Sequence, residues 1–181
     1  MPMKNIAFVG KMATGKSYYA SLLRAELMSK GININVIHIS TKIKDIATEL
    51  FGMHEKDRDL LQKIAANMRE IDEHVWIRYL LSDIRKENKL PFILDDLRFK
   101  DEVLLIRQTF DLLIVKIDSD DSYRKSAYAA KYGKAPTEKE LTDITETSMD
   151  EIEPDLVLKN DYTKQTASSN ITKLLKELQV Y

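Results

Sequence analysis

Gly10, Gly15, Lys16 and Ser17 fill the fixed places of G-x-x-x-x-G-K-[ST] in the stretch "GKMATGKS". That spacing suits phosphate chemistry. Glycines let the backbone curl so that successive N–H groups aim at phosphate oxygens, and a following helix adds its positive end. Lys16 would reach the β- and γ-phosphates, and the Ser17 hydroxyl would ligate Mg²⁺. The residues expected to touch the nucleotide are Gly10, Lys11, Met12, Ala13, Thr14, Gly15, Lys16, Ser17 and Tyr18, with Lys16 at a solvent-facing junction. Many loops of this type carry a further glycine where this chain has Ala13.

A second group lies in "LPFILDDLRFKDE", residues 90–102. Asp95 and Asp96 end an apolar run, at the carboxyl edge of a sheet where open α/β folds bind ligands. A carboxylate there can hold the Mg²⁺ shell, and Arg98 can pair with phosphate through its planar fork. Adjacent residues point opposite ways, so the pattern alone does not separate the two aspartates. Asp96 is the expected metal ligand.

Two further groups sit in long excursions. Lys42, Arg58, Gln62, Arg69 and Trp76 are recognition-type side chains on a helical stretch, about 41–90, placed to cover the sheet edge and take the substrate. Arg124 is the only arginine in the polar stretch 118–151, where Lys125, Lys131 and Lys134 accompany it. A lid over phosphates needs such cations to neutralise charge and exclude water. His38, His54 and His74 have no metal-like spacing, and His38, between Ile37 and Ile39, reads as a structural histidine.

These groups need a frame that brings them to one edge. Apolar runs at 4–9, 34–39, 92–95, 112–117 and 156–159 read as strands covered on both faces. Helical patterns at 16–30, 42–51, 56–70, 72–88 and 164–179 alternate with them, which predicts a parallel sheet flanked by helices. In the last helix Ile171, Leu174, Leu175 and Leu178 share one face, expected to pack on the sheet.

Composition narrows the partners. The 181 residues, 44% of them hydrophobic, suffice for one domain with a sizeable core. The net charge of −1 offers no excess for a nucleic-acid polymer or an anionic membrane. There is no cysteine, which suits a reducing cytoplasm, and no apolar run approaches the roughly 18 residues of a membrane span. The expected partners are small-molecule nucleotides; a homodimer is left open.

The order of "GKMATGKS", "STKIKDIATELFG", "LLQKIAANMREIDEHVW", "DDLRFKDE" and "DLVLKND" resembles the nucleoside monophosphate kinases of the P-loop class, and more closely those of bacteriophages that act on deoxynucleotides. The resemblance spans most of the chain. It implies a three-layer α/β sandwich of the P-loop NTPase type with a five-stranded parallel sheet. It also implies a single kinase domain over 1–181, with an acceptor-binding insert at about 41–90 and a lid at about 119–150. Phosphoryl transfer from ATP to a nucleoside monophosphate follows, in a host cytoplasm if the source is viral. In that scheme Lys16 holds the donor, Ser17 and Asp96 organise Mg²⁺, Arg98 and Arg69 grip the acceptor phosphate, and Arg124 arrives with the lid. Lys16, Arg98 and Arg124 are then the catalytic set. A dephospho-coenzyme A kinase type and a non-catalytic nucleotide switch are the alternatives; the guanine signature N-K-x-D is absent from the sequence.

Overall fold

Strand β1 (Asn5–Val9) is buried along its whole length and pairs in parallel on both sides, with β3 (Phe92–Leu94) and β4 (Leu112–Asp118). The computed structural model describes residues 3–180, with the side chains of Lys139 and Thr145 outside that description. Strands β2 (Asn35–Ile37) and β5 (Leu156–Lys159) complete a five-stranded parallel sheet in the order β2-β3-β1-β4-β5. All five expected strands are present. Continuous apolar sequence is what such strands require, because helices cover both faces of a parallel sheet.

One face is covered by α1 (Lys16–Ser29) and α9 (Lys164–Glu177). Tyr19, Leu23 and Leu27 of α1 and Ile171, Leu174 and Leu175 of α9 pack on Ile6, Phe8 and Val115 of the sheet. Each fully buried leucine contributes about 1.5–3 kcal/mol. The opposite face is covered by α4 (Val75–Lys86) and α5 (Lys100–Arg107), through Ile77, Leu80, Ile84, Val103 and Ile106. Helices α2 (Ser40–Phe51) and α3 (Arg58–Ile71) extend this layer past the sheet edge.

The stretch 41–90 therefore splits by role, with α4 a core helix and α2 and α3 reaching out. Helix α5 was not expected from sequence. It is eight residues long, and its start is fixed by Glu102, which accepts from the Arg98 and Phe99 amides at 3.1 and 3.2 Å. The polar excursion holds α6 (Asp121–Tyr132), α7 (Glu138–Leu141), α8 (Ile144–Thr147) and a 3-10 turn at Ser148–Glu151. Among the described residues no helix is long and apolar enough to cross a membrane.

Candidate active site

The glycine loop joins β1 to α1, and its backbone demands glycine at two points. Gly10 has φ 142°, and a Cβ there would lie 2.4 Å from the Ile117 carbonyl oxygen of β4. At Gly15, with φ 99°, a Cβ would meet Asn160 Nδ2 at 2.8 Å. Ala13 adopts φ 60° without being glycine, in the left-handed region that disfavours side chains. The loop is braced from behind. Asn160 Nδ2 donates to the Thr14 carbonyl at 2.8 Å, the Tyr162 hydroxyl donates to the Ala13 carbonyl, and Thr14 Oγ1 donates to the Lys11 carbonyl at 2.9 Å.

Lys16 is buried rather than solvent-facing. Its Nζ turns back onto the Gly10 and Lys11 carbonyls at 2.5 and 2.9 Å. Burial, reinforced by the Arg98 charge, pushes the ammonium down to about 7, against the pull of Glu146, Asp95 and Asp96. A bound polyphosphate would supply the charge that this lysine lacks.

The exit of β3 gives the two aspartates different partners. Asp96 accepts from the Ile39 and Ser40 amides at 2.8 and 2.9 Å, one to each carboxylate oxygen, and so ties β3 to the start of α2. Asp95 is the carboxylate whose titration Ser17 influences, and both residues line the same cavity. It is 4% exposed, and its Oδ1 lies 2.5 Å from His38 Nδ1. Burial would raise the Asp95 carboxyl, but the hydrogen bonds of His38 and Ser17 and the charges of His38 and Lys16 outweigh it and hold it below the usual range. The Asp95 bond in turn raises His38 above its ordinary value, against burial. His38 thus has Asp95 as its partner, and it also lines the cavity that the loop opens on. Ligand atoms of His38, Asp95 and Asp96 lie within 4.8 Å of one another. A serine hydroxyl and an aspartate are the hard oxygen donors that Mg²⁺ takes beside phosphates.

Arg98 enters from the other side. Its Nη1 donates to Glu146 Oε1 at 2.8 Å, and Glu146 Oε2 accepts from the Met12 amide at 2.6 Å. These groups open on a cavity of about 410 Å³ between the loop, α2, α3 and the polar stretch from Lys131 to Glu146. Gln62 and Arg58 line it as expected; Lys44, Lys56 and Lys131 line it without having been singled out as acceptor-binding residues. Burial lowers Lys56, and the charges of Arg58, Lys44 and Lys131 add to that. None of the three lysines has a carboxylate partner among the described residues. A larger depression, about 650 Å³ around Lys4, Arg107 and Glu177, lies at the opposite edge of the sheet and holds none of the loop residues.

Beyond the glycine loop, five expected site residues do not line that cavity. Lys42 lies over the Tyr79 ring at 5.8 Å, outside the cavity. Trp76 is 3% exposed in the core, its Nε1 donating to the Ala65 carbonyl at 3.2 Å. Arg69 stacks over Phe99 at 4.9 Å and reaches Glu102 at 3.6 Å, behind Arg98 rather than beside it. Tyr18 faces the groove between α1 and α9. Arg124 is paired with Asp121 at 2.6 Å and donates to the Met12 carbonyl at 3.3 Å, so it braces the outer side of the loop.

Arg58 has a second attachment. It donates to the Tyr128 hydroxyl at 2.9 Å and to Glu140 at 2.8 Å, and it stacks over Tyr132 at 4.4 Å. It thereby fastens α3 to α6 and α7.

No family model matches the chain, and no curated protein matches its sequence. Solved structures do. An APS kinase from Mycobacterium tuberculosis, solved with AMPPNP and APS, shares 15% identity at a TM-score of 0.55, with 99% of each chain covered. A sugar kinase from Janibacter sp. HTCC2649 shares 17% identity at 0.62, covering 99% of this chain and 96% of that one. Shikimate kinase from Bacteroides thetaiotaomicron shares 13% identity at 0.58, covering 98% and 99%. The chain has a P-loop kinase-like fold. That fold carries the five-stranded parallel sheet found here, with the glycine loop at the carboxyl end of its central strand.

Proposed function

We propose that this chain is an ATP- and Mg²⁺-dependent small-molecule kinase whose acceptor is a (deoxy)nucleoside 5'-monophosphate. One observation carries the reading: Lys16, Ser17, Asp95 and Arg98 converge on one cavity, whose far wall presents Lys44, Lys56 and Arg58. Donor phosphates would lie on the loop amides and Lys16. Mg²⁺, held by the Ser17 hydroxyl and Asp95, would neutralise charge on the β- and γ-phosphates. Arg98 would meet the transferring group from the acceptor side.

In the reaction an acceptor phosphate oxygen forms the new bond to the γ-phosphorus. The bond to the β–γ bridging oxygen breaks, and ADP leaves with its electron pair. The attacking oxygen is already ionised at neutral pH, so positioning and charge neutralisation suffice. In this scheme α2 and α3 of the stretch 41–90 would serve as acceptor insert and 119–150 as lid of one kinase domain.

A second reading rests on His38. Its imidazole is oriented by Asp95 and lines the cavity, and such a pair can take a proton from a hydroxyl acceptor, as a kinase of the dephospho-coenzyme A type requires. The test is ADP release from Mg-ATP with direct detection of products, against all ribo- and deoxyribonucleoside monophosphates and dephospho-coenzyme A. Diphosphate formation supports the first reading; phosphorylation of the hydroxyl substrate alone supports the second. Nucleotide binding with no transfer to any of these acceptors overturns both and leaves another acceptor or a non-catalytic switch.

A further inference from the structure

Glu146 is a buried carboxylate, 5% exposed, supplied by the lid segment to the centre of the loop. One of its oxygens accepts from the Met12 amide at 2.6 Å and the other from Arg98 Nη1 at 2.8 Å. Its charge also reaches Lys16. A loop amide, a guanidinium and a nearby ammonium form a site for an anion with several acceptor oxygens. A carboxylate in that place satisfies the same donors as a phosphoryl group. The position lies between the donor loop and Arg98, where the phosphoryl group in transfer must pass. Two anions desolvated at one point repel each other strongly.

We propose that Glu146 is a resident stand-in for the transferred phosphoryl group, displaced when the terminal phosphate of the donor arrives. The proposal rests on the kinase reading of this cavity. Displacement frees Arg98 from its ion pair and delivers it to the phosphate. It also withdraws the tie between the loop and the segment 144–151, so arrival of the third phosphate is signalled to the lid. ADP, with no third phosphate, leaves Glu146 in place. In the empty protein the carboxylate keeps the half-buried Met12 amide and Arg98 guanidinium satisfied.

The test is calorimetric binding of Mg-AMPPNP and Mg-ADP to the full chain and to Glu146→Gln, with Glu146→Ala as a second variant and melting curves to confirm folding. Removing a competing charge-assisted contact should tighten AMPPNP by about tenfold or more. ADP should bind the variants and the parent alike. Hydrogen exchange in 144–151 of the parent should speed up with AMPPNP and stay unchanged with ADP. Unchanged or weaker AMPPNP binding in folded variants overturns the proposal. Equal tightening of ADP and AMPPNP overturns it too, since a general charge effect acts on both. These readouts need no acceptor and no turnover. A chain that binds neither nucleotide fails as a kinase; one that binds both equally with and without Glu146 fails only here.

Discussion

His38 Nδ1 stands 2.5 Å from Asp95 Oδ1, so this buried aspartate is held in place by a residue 57 positions away in the chain. Asp96, its neighbour, is spent on the Ile39 and Ser40 amides. The two substitutions therefore separate. Asp95→Asn should lower Mg²⁺-dependent turnover by about a hundredfold or more while changing the melting temperature little. Asp96→Asn should cost about 1–3 kcal/mol of stability, because it weakens acceptance from two amides. Mg²⁺ titrations of activity and urea midpoints on both variants check this.

Lys16→Met should abolish most transfer without destabilising the empty protein, since it replaces a buried ammonium by a buried thioether of similar length. Its pKa is pushed down to about 7, from the 10.5 of a free lysine. Between those values the unfolded chain binds more protons than the folded one, so this residue makes stability rise with pH. Urea midpoints at pH 7 and pH 9 should show that rise in the parent, and a smaller one in Lys16→Met.

Glu140 sits near 2: the Thr137 amide and the Tyr128 hydroxyl hold it down, against a small burial effect. A depressed carboxylate stabilises above its unfolded value and loses that contribution as pH falls towards the folded one. The tie from Arg58 to α6 and α7 should therefore loosen between about pH 4.5 and 2. Amide protection in 134–141, measured against the intrinsic exchange rate at each pH, should fall over that window. Glu140→Gln should show faster exchange there at pH 7 and no further acid step.

The two small residues of the loop differ in what they tolerate. Gly10→Ala places a Cβ 2.4 Å from the Ile117 carbonyl oxygen and should cost about 2 kcal/mol or more. Ala13→Gly relieves a left-handed alanine at φ 60° and loosens the unfolded chain by a similar amount. Its stability should stay within about 0.5 kcal/mol of the parent, as denaturant midpoints can show.

The glycine loop was legible because its chemistry is contiguous, and the sheet because five apolar runs could satisfy their backbone only side by side. The rest of the site depends on direction. Lys42 and Lys44 lie on the same helix, two residues and about 200° apart, so only one can face the cavity, and nothing local says which. Trp76 is a large apolar body whose one donor found a carbonyl, which composition alone does not distinguish from a recognition residue. His38 follows the last residue of β2, so strand alternation does not govern it. Glu146 meets Met12 across 134 positions of chain, and no spacing rule spans that.

The loop's braces have a consequence for how the protein is made. The glycine loop is held by Asn160 and Tyr162, which follow β5. A nascent chain folds from its N-terminal side as it emerges. A chain halted before β5 would own every residue of the glycine motif and neither clasp on the Thr14 and Ala13 carbonyls. The loop would thus become fully braced only in one step, when the sheet gains its outer strand β5.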